Sequence, residues 1–80
     1  MGKDSNIVHQ YFRKEFDEMI ILVKVNPILW KGTELTLLPS GKVERRELEF
    51  DEGILEDLKV DGFEAASAME FNLYLSGLVG

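Results

Sequence analysis

The stretch that most constrains the fold is Met19–Trp30, Met-Ile-Ile-Leu-Val-Lys-Val-Asn-Pro-Ile-Leu-Trp, the densest apolar run in the chain. Lys24 alone breaks the apolar sequence from Ile20 to Val25. A segment this apolar has to be covered on more than one side. It is too short to span a membrane, which takes ~20 consecutive apolar residues. The rest of the chain must therefore wrap it, and no membrane partner is expected.

Upstream, Ile7, Val8, Tyr11, Phe12, Phe16, Met19, Ile20 and Val23 recur at spacings of three and four, the signal of a helical face. Asp4, Ser5 and Asn6 are good N-caps. Arg13–Asp17 and Lys14–Glu18 would be supporting i,i+4 ion pairs. Ile and Val also favour strands, so residues 19–25 read as a buried strand too. Between Lys14 and Val25 nothing resembles a turn. The pattern thus predicts one long N-terminal helix to about Val25, stopped by Asn26-Pro27 because the residue before proline is driven out of the α region.

A β-hairpin is predicted next. Thr33–Leu38 alternates apolar and polar residues, Pro39-Ser40-Gly41-Lys42 is turn chemistry, and Val43–Phe50 returns. Glu44-Arg45-Arg46-Glu47 is charged on both faces, as on an edge strand. Two short helices close the chain. Asp51 is the predicted cap of a helix over 52–60, with Gly62 and Phe63 as its Schellman stop. Ser67 and Glu70 form a capping box for the second, with Gly77-Leu78 as its stop. Met69, Phe71, Leu73 and Leu75 also alternate as a strand would, but two end signals favour a helix. The expected fold is a single α+β domain over residues 1–80, ordered α-β-β-α-α. Its expected core is Phe12, Phe16, Met19, Ile20, Leu22, Val23, Leu35, Leu37, Phe50, Leu55, Leu58, Phe71 and Leu75.

The chain offers little chemistry. It has no cysteine and a single histidine, His9, placed one turn into the predicted first helix, so a zinc site of ordinary composition within one chain is excluded. Ser5 and Arg13, the i±4 neighbours of His9, would not orient it as a base. Asp57-Leu-Lys-Val-Asp-Gly62 mimics the start of a calcium loop. It fails at Lys59, where a cation repels Ca²⁺, and at Ala68, where a bidentate Glu belongs. No phosphate loop, nucleophile elbow or glycosylation sequon occurs. The N-terminus lacks the apolar region of a signal peptide, and Asn6 stands where a myristoylation motif wants Ser or Thr. No catalytic residues, cofactor or metal are expected.

Charge is unevenly spread. Residues 1–46 hold eight Lys/Arg against six Asp/Glu, +2, and residues 47–80 hold one against nine, −8, giving the net −6. A chain this acidic repels phosphate unless it concentrates cations locally. Trp30, Lys31, Lys42, Arg45 and Arg46 are the candidate binding residues, although Glu44, Glu47 and Glu49 interleave with them. The expectation is a non-catalytic, cytoplasmic protein-interaction module and a candidate homodimer. Its partner is expected to be a protein or a second copy, with nucleic acid disfavoured. The alternative is a nucleic-acid-associated module using the Lys42–Arg46 ribbon.

Overall fold

The computed structural model describes residues 8–76. Its elements are β1 (Gln10–Phe16), β2 (Met19–Asn26), β3 (Lys31–Leu37), β4 (Val43–Glu49), α1 (Ile54–Val60), β5 (Glu64–Ala65) and α2 (Ala68–Leu75). The strands form one antiparallel sheet in the order β4-β3-β2-β1-β5. The long N-terminal helix does not form, so the α-β-β-α-α order is wrong. Residues 10–26 are instead a β-hairpin, with Phe12 opposite Val23 and Phe16 opposite Met19.

Two physical reasons explain the difference. The first is the turn. Asp17 and Glu18 both take left-handed φ, 54° and 68°, which makes a two-residue type I′ turn. That turn normally uses Asn-Gly or Asp-Gly, so Asp-Glu gives almost no sequence signal. The second is coverage. A strand covered on both faces reads as a continuous apolar run rather than an alternation. Leu22 faces one side and Val23 the other, and both are buried.

The sheet therefore lies between two short helices. On one face Phe12, Val23 and Val25 pack with Leu58, flanked by Ile54, Leu55, Trp30, Phe50 and Phe63. On the other, Leu22 and Leu35 pack with Phe71, flanked by Tyr11, Ile20, Leu37, Val43 and Tyr74. Each fully buried side chain of this size stabilises by roughly 1.5–3 kcal/mol. Among the expected core residues, Phe16 is 57% exposed on the hairpin and Leu75 is 36% exposed on α2. Val25, fully buried, was absent from the expected core.

The remaining connections follow local chemistry. The Asn26 side-chain oxygen accepts from the N–H groups of Ile28 (2.8 Å) and Leu29 (3.0 Å), and the Trp30 N–H donates to the Asn26 carbonyl (2.8 Å). Asn26-Pro27 thus begins a hairpin loop rather than ending a helix. In the β3–β4 turn, Gly41 N–H donates to the Leu38 carbonyl and Gly41 takes φ 94°, the left-handed position that closes such three-residue loops.

The two helices stand where the sequence placed them, with one adjustment. Asp51 accepts from Gly53 N–H (2.9 Å), so α1 starts at Ile54, later than expected. Its stop is a Schellman motif: Phe63 N–H bonds the Leu58 carbonyl and Gly62 N–H the Lys59 carbonyl. Ser67 accepts from Glu70 N–H (3.1 Å) and caps α2. The predicted Asp4–Asn6 cap and Gly77-Leu78 stop lie outside the described residues.

Candidate protein interface

The chain reverses at each strand from β1 to β4, so β4 ends on one margin of the sheet while β5 covers part of β1 on the other. Among the described residues, β4 pairs only with β3. Its hydrogen-bond phase follows from the bonds at its ends. Leu38 N–H donates to the Lys42 carbonyl and Phe50 N–H to the Trp30 carbonyl. Stepping by two along the same register, Glu44, Arg46 and Leu48 direct their backbone groups toward β3. Val43, Arg45, Glu47 and Glu49 direct theirs outward, away from the sheet.

The side chains obey the strand period. Val43, Arg45, Glu47 and Glu49 share the α2 face, and Glu44, Arg46 and Leu48 share the α1 face. Arg45 and Arg46, adjacent in sequence, therefore point to opposite sides. Arg45 binds Glu47 on its own strand at 2.9 Å, and Thr33 Oγ1 donates to the other Glu47 carboxylate oxygen at 3.0 Å. Those bonds, Arg45 first and Thr33 second, hold the Glu47 carboxyl below its usual pKa. Arg46 lies 3.7 Å from Glu34 on β3. Both arginines are mostly exposed, so each pair contributes little stability.

The other candidates do not converge on this pair. Lys42 is exposed at the β3–β4 turn, and Lys31 sits at the far end of the hairpin, opposite Glu49. Trp30 is half-buried with φ 55° and packs against the α1-side core.

The sequence reading missed a second charged group, on β1. Arg13 bonds Glu70 (3.1 Å) and Glu15 (3.2 Å), tying β1 to α2. Its guanidinium is pushed above its usual pKa, foremost by the Glu15 hydrogen bond. Lys14 donates to the Asp61 carbonyl (2.6 Å), which fastens the end of α1, and its ammonium lies 5.8 Å from the rings of Phe16 and Phe63. A hollow of about 210 Å³ between Arg13, Lys14, Glu15, Gly62 and Glu64 is thus bordered by cations that are already engaged. A strand period applied to residues 10–16 would have put Arg13 and Glu15 on one face. Reading them as helix hid that pair.

Among the described residues, no group of three or more His, Cys, Asp or Glu could hold a metal, and no helix is long and apolar enough to cross a membrane. Asp57–Val60 lies within α1 and Gly62 is its stop, which accounts for the calcium-like run. His9 precedes β1 rather than lying in a helix. Burial, then the Lys24 charge, lowers its pKa. Comparison with known proteins finds no matching family model, no matching curated protein and no matching solved structure.

Proposed function

We propose that this domain is a non-catalytic protein-interaction module that offers the β4 edge to a partner strand. The observation that carries the reading is the outward row of backbone N–H and C=O groups on Val43, Arg45, Glu47 and Glu49, on a strand that, among the described residues, is paired along one side only. Such an edge is a template for strand addition, in which main-chain hydrogen bonds give affinity and alternate side chains give selectivity. The opposite charges at neighbouring same-face positions, Arg45 with Glu47 and Glu44 with Arg46, would select a partner strand of complementary charge order. The absence of cysteine suits a reducing compartment, and we place the protein in the cytoplasm.

Glu47→Pro tests the reading. Proline at this position removes an outward N–H and no backbone bond to β3; the Thr33 and Arg45 side-chain contacts to Glu47 that go with it are exposed and contribute little, so the sheet stays paired while the edge is blocked. A partner retained by the immobilised wild-type protein, and lost with a folded Glu47→Pro variant when both are purified, is the expected result. Partners that bind both forms equally would place the interface elsewhere.

The nucleic-acid alternative is weaker on charge. Phosphate binders concentrate one sign on one surface, whereas Arg45 and Arg46 face opposite ways and each is held by a carboxylate. Titration with short DNA and RNA at ~20 mM salt should show no binding. Steeply salt-dependent association would reinstate that alternative.

A further inference from the structure

We propose that the strand this edge receives is β4 of a second copy, antiparallel, with Arg46 on the two-fold axis. The inference rests on the edge reading above and names its partner.

Edge-to-edge antiparallel pairing of two identical strands needs a two-fold axis perpendicular to the sheet, which keeps each face on its own side. Every residue then meets one of the same parity, so the axis passes through a residue. Placing it at Arg46 pairs Val43 with Glu49 of the second copy and Arg45 with Glu47. All four residues with outward backbone groups then meet another such residue. Each of these pairs can exchange two N–H···O=C bonds. Shifting the axis to Arg45 sets Glu49 against Gly41, which lies in the turn at φ 94°. Shifting it to Glu47 sets Val43 against Asp51, beyond the end of β4. Only the Arg46 register uses the whole strand.

The charges agree with this register. On the α2 face, Arg45 and Glu47 already touch at 2.9 Å. The second copy lays Glu47 beside Arg45 and Arg45 beside Glu47, which completes a square of alternating sign. Arg45 keeps further N–H donors for the added carboxylate. Charged edges resist pairing when they present one sign to itself, and here the sequence is its own complement. One like-charge contact opposes the match, Arg46 against Arg46 on the α1 face. Each of these arginines has Glu34 at 3.7 Å on its own sheet and Glu44 of the second copy on the diagonal. The product is a continuous sheet running β5-β1-β2-β3-β4 and then the same strands in reverse order.

Charge reversal and cross-linking test the register together. Arg45→Glu and Glu47→Arg should each weaken dimerisation roughly tenfold or more, because two attractive cross-strand pairs become repulsive. Mixing the two variants should restore association, since every carboxylate at these positions would then face a guanidinium across the axis. Sedimentation velocity reads each case, with circular dichroism to check folding. Because the chain lacks cysteine, Arg46→Cys supplies a second readout. Residues opposed on the axis in a non-hydrogen-bonded pair lie ~4.5 Å apart at Cα, within disulfide reach. Oxidation should link Arg46→Cys into a dimer and leave Arg45→Cys and Glu47→Cys unlinked. Faster cross-linking of either of the latter would overturn the register. A wild-type monomer at millimolar concentration, with no Arg46→Cys disulfide, would overturn self-pairing. The Glu47→Pro comparison with other partners would be unaffected by that outcome.

Discussion

Glu18→Gly separates the hairpin from the helix in a single substitution, because the two arrangements predict opposite signs. In the hairpin Glu18 sits at φ 68°, the second centre of a type I′ turn. An L-residue held there costs roughly 1–2 kcal/mol through the clash of Cβ with the backbone carbonyl. Glycine removes that cost but gives back about 0.5–1 kcal/mol through a more flexible unfolded chain. The balance is a stabilisation of about 0.5–1 kcal/mol. In a helix over the same residues, Gly at 18 would sit in mid-helix and destabilise by about 1 kcal/mol relative to Ala, and somewhat less relative to Glu. Urea unfolding decides between them. With m near 1 kcal/mol/M for so small a domain, the midpoint should rise by roughly 0.5–1 M at unchanged m. A lower midpoint would refute the turn. Val23→Asp lacks this power: Val23 is 3% exposed, so a carboxylate there unfolds the domain whichever element carries it.

Other substitutions probe the two faces and the loops. Phe71→Ala should cost about 3–5 kcal/mol, because the ring is fully buried and anchors α2 on Leu22 and Leu35; thermal unfolding would measure it. Gly32→Ala should destabilise by roughly 1–3 kcal/mol, since a Cβ there meets the Lys24 carbonyl and comes within 2.7 Å of the Phe50 ring; an unchanged melting temperature would show that neither the Lys24 carbonyl nor Phe50 crowds Gly32. For His9, the folded pKa lies below the ordinary 6.5, so as pH falls below 6.5 the unfolded chain binds its proton first and stability declines until the folded pKa is passed. His9→Gln should flatten the melting temperature over that window, and an unaltered slope would remove His9 as its source.

The legible part of the fold was the part whose signals are local. The turn Pro39–Lys42, the Gly62-Phe63 stop and the Ser67 cap each need only a few residues, and each is in place. The first hairpin was illegible because its two signals cancelled. Sheet coverage on both faces erased the alternation, and a turn built from Asp-Glu hid the reversal. Tyr11, Phe12 and Phe16 then passed for a helical stripe, although Tyr11 packs near Phe71 and Phe12 near Leu58, on opposite faces. The i,i+4 pairs inferred for Arg13 and Lys14 were products of that period. Arg13 binds Glu15, two residues away, and Glu70, which belongs to another element.

The candidate site shows how strongly period governs chemistry. Lys42, Arg45 and Arg46 are spaced i, i+3 and i+4. On a helix they would form one basic face, a surface suited to phosphate. On a strand Arg45 and Arg46 part to opposite faces, and each takes the nearest carboxylate on its own side, Glu47 for one and Glu34 for the other. The same residues then cease to be a cationic patch and become opposite-sign neighbours on the two faces of an edge. An edge of mixed sign discriminates among strands by register, which a uniform patch cannot do, because a one-residue slip turns every side chain to the wrong face. That is why the proposed edge reading takes a strand as its partner, and why charge swaps at Arg45 and Glu47 test it more sharply than the removal of either charge.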